Sequence, residues 1–203
     1  ASLAWPQQRM RDWPEEQVLD AARTQAGLPL PGVLLDIRGD AGESLPFDGA
    51  SMGALHVRGP WVTDAYHGGA PGSALTEDGW FDTGDVAIGS PDGYFVIADR
   101  TKDLIKSGGE WISSVDLEAA IMAMPGVVEA AVVAVPDPKW LERPLAYVVT
   151  ADGAPPDRAA ILAHLEASGF ARWQVPDRVE AIAEIPKTAV GKFDKKSLRE
   201  RTT

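Results

Sequence analysis

Apolar positions change period along this chain, and each change predicts an element. Ala54–Arg58 (ALHVR) alternates apolar with polar residues and predicts a half-buried strand. Glu15–Ala26 (EEQVLDAARTQA) instead sets Val18, Leu19, Ala22 and Ala26 near one face at helical spacing, with Gly27 as its stop. Pro29 and Pro31 then lead into Gly32–Ile37 (GVLLDI), a short apolar strand. Gly39–Gly53 predicts a loop, and Gly59–Gly79 holds Pro60, Trp61, Tyr66 and two glycine-rich turns. Asp85–Ile88 and Tyr94–Ala98 flank Ser90-Pro-Asp-Gly93, a sequence suited to a tight hairpin turn.

Leu104–Lys106 and Glu110–Ile112 straddle Ser107-Gly108-Gly109, which predicts a second hairpin. Ser113 is a natural N-cap, with Asp116 placed to reach back or to meet the dipole. The helix then runs Ser114–Met124, with Val115, Leu117, Ile121 and Met122 inward, and Pro125-Gly126 ends it. Val127–Val135 (VVEAAVVAV) predicts a strand, Pro136–Pro144 a loop, and Leu145–Val149 another strand. A helix begins at Pro156 or Asp157 and runs to Ser168, with Ile161, Leu162 and Leu165 as its apolar face and Gly169 as its stop. Val179–Ala183 predicts a short strand and Asp194–Arg201 a last, basic helix. No internal repeat is visible. The charged stretch Asp99–Asp103 separates two differently patterned halves, so the expected domains are 1–101 and 102–203. The first is mostly β with long loops, the β-rich end of a bigger body. The second alternates strands with helices. The predicted fold class is α+β.

Bulk composition narrows the function classes. Hydrophobic residues make up 45% of 203 positions, enough for a packed core in one large or two small domains. A formal charge of −11 argues against a general nucleic-acid binder, whose affinity rests on basic residues. Having no cysteine excludes disulfides, thiolate metal sites and a cysteine nucleophile, and fits a cytoplasmic location. No apolar run approaches the ~20 residues that span a bilayer, and no signal peptide is visible. The start at Ala1, without an initiator Met, leads us to expect a piece of a longer protein.

Several polar residues are candidates for chemistry. In Thr83-Gly84-Asp85 a carboxylate begins a strand beside a glycine. It can accept from two neighbouring hydroxyls, as on a ribose diol, or satisfy backbone donors of a turn. Arg100, Lys102 and Lys106, with Asp103 among them, can meet phosphate oxygens or form a solvated charged loop. Ser107-Gly108-Gly109-Glu110-Trp111 pairs a close-approach turn with a large aromatic, which flanks a ligand or packs in the protein. From Lys187 to Arg201 six basic residues face two acidic ones, a local charge of +4 that suits an anionic ligand or an amphipathic terminal helix. The segment is not a P-loop, because Gly191-Lys192 is followed by Phe193. His56, His67 and His164 are scattered without metal-ligand spacing.

Taken in order, four segments resemble one family. They are Gly79-Trp-Phe-Asp-Thr-Gly-Asp85, Asp99-Arg-Thr-Lys-Asp-Leu-Ile-Lys106, Ser107-Gly-Gly-Glu-Trp-Ile112 and Pro186-Lys-Thr-Ala-Val-Gly-Lys192. Together they resemble the adenylate-forming (AMP-binding) superfamily of acyl-CoA synthetases, adenylation domains and luciferases, over essentially the whole chain. The Gly-Gly-Glu-Trp form, with Lys139-Trp-Leu-Glu-Arg-Pro144, is most similar to the medium- and long-chain fatty acyl-CoA synthetases. A related branch acts on short thioether acids such as methylmercaptopropionate.

The resemblance implies a ligase that joins a fatty acid to CoA through acyl-adenylate, with ATP, CoA and Mg²⁺ as substrates and cofactor. It implies that Lys192 is the adenylation lysine. Asp85 would hold the ribose hydroxyls with Arg100 in support, and Lys102 would be a hinge residue touching the nucleotide. Lys106 and Trp111 would face the adenylate, and Ser107, Gly108 and Gly109 the pantetheine path. The phosphate loop and the aromatic-Gly-x-Thr-Glu segment of the family are absent. The expectation is therefore an inactive C-terminal fragment with no metal ligands and no tightly bound cofactor. A non-catalytic binding module derived from such a ligase is the alternative from another class.

Overall fold

The computed structural model describes residues 2, 3 and 7–202. The chain divides into two compact units, Ala1–Thr101 and Lys102–Thr203. Its elements are mixed α and β, with antiparallel pairing dominant.

The first unit begins with β1 (Ser2–Leu3), which pairs antiparallel with β2 (Leu28–Pro29). Between them lie a 3-10 turn at Gln8–Met10 and helix α1 (Glu15–Thr24). The helix is two residues shorter than predicted, because Gln25 is already extended and the Ala26 amide donates to the Phe95 carbonyl at 2.8 Å. None of the helix residues is buried, so its apolar face is only half covered. The body of the unit is a four-stranded antiparallel meander of β3 (Leu34–Arg38), β4 (Met52–Arg58), β5 (Phe81–Gly89) and β6 (Phe95–Arg100). Ile37, Leu55, Ala87 and Phe95 form its core.

Strand β5 is longer than Asp85–Ile88 because it carries a bulge. Its register against β4 shifts between Ala54 and His56. Gly84 sits at φ +69°, and the Thr83 hydroxyl donates to the Leu55 carbonyl at 2.8 Å, filling the gap in the ladder. The Ser90–Gly93 turn closes β5 onto β6, with Gly93 at φ +85° and its amide donating to the Ser90 carbonyl at 2.9 Å.

The second unit is built on one long hairpin. Strands β7 (Ile105–Ser107) and β8 (Glu110–Ile112) come first, then α2 (Ser114–Met122). Strand β9 (Val127–Asp137) and β10 (Leu141–Thr150) pair antiparallel along almost their whole length. Helix α3 (Arg158–Ala167), β11 (Arg178–Ala181) and α4 (Lys195–Glu200) complete the unit. Strand β11 joins β10 in parallel, and β7 touches β10 at Leu141↔Ser107.

The expected loop at Pro136–Pro144 is therefore mostly strand. One Asp137 oxygen accepts from the amides of Lys139 and Trp140 at 2.8 and 2.7 Å, and this tight turn lets the ladder run to its end.

The middle strands are covered on both faces. Ala130, Val132, Ala146 and Val148 meet Leu117 and Ile121 of α2 and Ile161 and Leu165 of α3. The alternate residues Ala131, Val133, Leu145 and Tyr147 meet Ile185 and Leu198. Each fully buried leucine or isoleucine contributes about 1.5–3 kcal/mol.

In α2, Ser113 caps the helix, accepting from the Asp116 amide at 3.1 Å. Ser114, Leu117, Glu118 and Ile121 face inward, while Val115 and Met122, expected inside, are exposed. The inward stripe has helical spacing, but one of its positions holds a glutamate, which apolar periodicity does not reveal. Asp157 caps α3, accepting from the amides of Ala159 and Ala160 at 2.9 and 3.2 Å.

Candidate functional site

The first unit presents a cross-strand acid–base pair. Asp85 opposes Arg100 in the β5–β6 register, and Arg100 Nε lies 2.9 Å from Asp85 Oδ1. The bulge aims this carboxylate. The Asp85 amide donates to the Thr83 hydroxyl at 3.1 Å, and the Gly84 amide donates to Asp82 at 2.9 Å. The Asp85 side chain is largely covered while that of Arg100 is half exposed. The pair can therefore offer Oδ2 as an acceptor beside a fixed cation.

In the second unit Gly108 and Gly109 make the two-residue turn between β7 and β8, at φ +62° and +92°. Both glycines at positive φ suit a right-twisted hairpin. The register places Lys106 opposite Trp111, with the ammonium 4.7 Å from the ring centroid. The Lys106 amide donates to Glu142 at 2.8 Å, and the Gly108 amide donates to the Trp140 carbonyl at 2.8 Å. The hairpin is thus tied to the start of β10. A Cβ on Gly108 would lie 3.0 Å from the Trp140 ring, so a larger residue would push on that ring as well as strain the φ of +62°. A cavity of about 400 Å³ opens here, lined by Ser107, Gly108, Glu110, Trp140 and Trp173 above Arg143.

Arg143 is the buried anchor of this region. Nε and Nη2 meet both oxygens of Asp177 at 2.8 and 2.9 Å, Nη1 donates to the Ser107 hydroxyl at 3.0 Å and to the Trp173 carbonyl, and Nη2 reaches the Val175 carbonyl at 3.1 Å. This bidentate pair raises the Arg143 pKa and holds the Asp177 carboxyl below the usual carboxylate range.

Lys102 opens the second unit and is exposed. Its carbonyl accepts from Arg199, and the neighbouring Asp103 pairs with Arg199 at 2.8 Å. Lys192 lies on a separate loop, exposed at the end of a turn. The Thr188 amide donates to the Lys192 carbonyl at 2.8 Å, the Gly191 amide to the Thr188 carbonyl at 2.9 Å, and Lys187 bridges Phe193. Lys187 Nζ pairs with Glu129 of β9 at 2.6 Å, which raises its pKa.

The structure thus joins Asp85 with Arg100, and Lys106 with Trp111 beside the Gly108–Gly109 turn, with Ser107, expected in that turn, ending strand β7. Lys192 stands on its own loop. Reasoning from the sequence missed Arg143 and Asp177, and also Lys195 and Glu118. Arg143 lies in the charged stretch just before the apolar strand Leu145–Val149, so no local pattern marked it as buried. His164, assigned no role, makes a 3.0 Å hydrogen bond with the Ala120 carbonyl that ties α3 to α2. Among the described residues no cluster of three or more acidic or histidine side chains is placed to hold a metal. No helix among the described residues is long and apolar enough to cross a membrane.

Comparison with known proteins gives a consistent result. Residues 116–192 match the AMP-binding enzyme C-terminal domain. A long-chain-fatty-acid–CoA ligase of Thermus thermophilus is 52% identical over 92% of this chain and 34% of its own length. A 3-methylmercaptopropionyl-CoA ligase of Ruegeria pomeroyi is 50% identical over 88% of this chain and 33% of its own. Among solved structures, ATP-bound MatB from Rhodopseudomonas palustris superposes with a TM-score of 0.74 at 34% identity, over 88% of this chain and 35% of its own. The amide bond synthetase McbA from Marinactinospora thermotolerans gives 0.76 at 37% identity, over 92% and 39%. The chain spans about a third of the length of the curated relatives it matches.

Proposed function

Because the chain carries the C-terminal domain of AMP-binding enzymes and has fatty-acid CoA ligases among its relatives, we propose that it is the C-terminal portion of an ATP-dependent fatty acid–CoA ligase. The reaction has two halves. A carboxylate and ATP give acyl-AMP and pyrophosphate, and CoA then displaces AMP to give the thioester. The observation that carries this reading is 52% identity to a fatty-acid CoA ligase over 92% of the chain, a likeness that extends through both units.

The roles are those that the resemblance implies, and the charge and exposure of the residues suit them. A carboxylate is a poor electrophile, and its attack on ATP brings two anionic groups together. The exposed ammonium of Lys192, which has no acidic partner among the described residues, suits the bridging of carboxylate and phosphate oxygens. Asp85 would accept from the ribose hydroxyls, held by Arg100. Lys106 and Trp111 would face the adenylate in the second half, and Ser107, Gly108 and Gly109 would border the pantetheine path. Lys102 would serve as the hinge by which the second unit presents first Lys192 and then the hairpin.

The 50% identity to a 3-methylmercaptopropionyl-CoA ligase supports a second reading, in which the acid is a short thioether acid. Thioester formation by the longer ligase, measured with ATP, CoA and a series of acids, separates the two. A fatty-acid ligase gives its highest kcat/KM on a medium- or long-chain fatty acid, and the second reading gives it on 3-methylmercaptopropionate. Failure to release AMP with any acid of the series contradicts both.

A further inference from the structure

Helix α4 is six residues long, and only two of its side chains are buried. One is Leu198. The other is Lys195, which is 8% exposed although it is a lysine. Its ammonium donates to the Ser114 hydroxyl at 2.6 Å and pairs with Glu118 Oε1 at 2.7 Å. Glu118 is itself 6% exposed, and the same oxygen accepts the Val132 amide at 2.7 Å. Among the described residues β9 pairs with β10 alone, and the Val132 amide is turned to its open edge, where Glu118 takes it. The carboxylate thus closes an open strand edge, and Lys195 balances its charge.

Lys195 follows Lys192 by three residues. The loop between Pro186 and Asp194 is closed on itself, with the Asp194 amide donating to the Pro186 carbonyl at 2.8 Å in addition to the Thr188–Lys192 bond. Such a closed loop moves as a unit with what anchors its ends. On one side the anchors are Ile185, fully buried, and the Lys187–Glu129 pair, which is partly exposed. On the other side Asp194 caps α4, accepting from the Ser197 amide at 3.2 Å, and the helix is held by fully buried Leu198, by the Arg199–Asp103 pair and, nearest to the loop, by Lys195, its first residue. A helix this short does not hold its own geometry. A buried ion pair contributes little net stability compared with apolar packing of the same size, but its direction is strict.

We propose that Lys195, fixed by Ser114 and Glu118, is a positioning residue that sets Lys192 for adenylate formation; this rests on the role given to Lys192 above. Lys195 touches no substrate and acts through the loop. A displacement of about 1 Å at a reacting group can cost on the order of 10²-fold in rate.

The test uses the longer ligase and both halves of the reaction: fatty-acid-dependent ATP–pyrophosphate exchange, and thioester formation from supplied acyl-adenylate. Lys195→Met lowers kcat for exchange by about 10²-fold, leaves thioester formation within about threefold, and Lys195→Arg regains most of the lost exchange. Lys195→Met combined with Glu118→Gln removes the stranded carboxylate. This double variant melts near the parent temperature, and its exchange stays low. Equal loss in both halves, regained in both by the double variant, makes Lys195 merely structural and overturns the proposal. Unchanged exchange in Lys195→Met overturns it as well. Lys192→Ala, run beside it, keeps the two claims apart. If that variant retains exchange, the role of Lys192 is wrong, and if it loses exchange while Lys195→Met does not, only the positioning is wrong.

Discussion

Leu141 is the one non-glycine residue at positive φ among the described residues, at +74°, and its side chain is 63% exposed. The left-handed conformation costs an L-residue about 1–2 kcal/mol, and an exposed leucine recovers little of that by packing. Glycine would avoid the penalty but lose about 0.5–1 kcal/mol through the freedom of its unfolded chain. Leu141→Gly is therefore expected to stabilise the second unit by about 0.5–1 kcal/mol, at roughly 4–8 °C in melting temperature per kcal/mol for a unit of this size. A fall in melting temperature would contradict this account of the turn. The second hairpin was legible at this scale, but its register was not: a Ser107–Gly109 turn would set Lys106 opposite Glu110, whereas Ser107 belongs to the strand and the two-residue Gly-Gly turn sets Lys106 opposite Trp111. The partners of Arg143 were not legible either, because Trp173, Val175 and Asp177 lie 30 to 34 residues further along the chain. No local spacing rule reaches that far.

Among elements, the β9–β10 hairpin decides where the β7–β8 hairpin stands, and Arg143 is the joint. It binds Ser107 of β7 on one side and Asp177, just before β11, on the other. The Asp177 pKa is lowered in the folded state, chiefly by its hydrogen bonds to Arg143. A depressed carboxylate stabilises the fold fully above its unfolded value, near ~4, and that contribution is lost as pH falls through the folded value. The Asp177 side chain is 53% exposed, so solvent screening weakens the effect. Unfolding of the chain and of Asp177→Asn, compared from pH 7 downward, should show a gap that narrows below about pH 4. A gap independent of pH would contradict this. The hairpin also marks a limit of sequence reading. Pro136 and Pro144 suggested a loop, yet both sit in register within the ladder, and the turn rests on a single carboxylate, Asp137. Strand β5 was under-called for a similar reason: Gly84 reads as a break but makes a bulge that carries Asp85.

At the scale of the whole molecule, two compact units each carry part of the proposed machinery: Asp85 and Arg100 in one, and Lys102, the Lys106–Trp111 hairpin and Lys192 in the other. The α+β class was legible because apolar period and turn residues agreed along most of the chain. The proposed roles were legible only through four motifs in order, since each motif alone fits a solvated loop or a turn. The buried pair of Lys195 and Glu118 was hidden because both residues carry the charge of surface positions, and burial belongs to the packed unit rather than to the local pattern. Lys192 is proposed to serve adenylate formation, and the hairpin the thioester step. This central proposal is tested most directly by Lys192→Ala in the longer ligase, with the two halves of the reaction measured separately. The account predicts loss of fatty-acid-dependent ATP–pyrophosphate exchange by about 10²-fold or more, with thioester formation from supplied acyl-adenylate retained. Equal loss in both halves, or exchange at the parent rate, would contradict it.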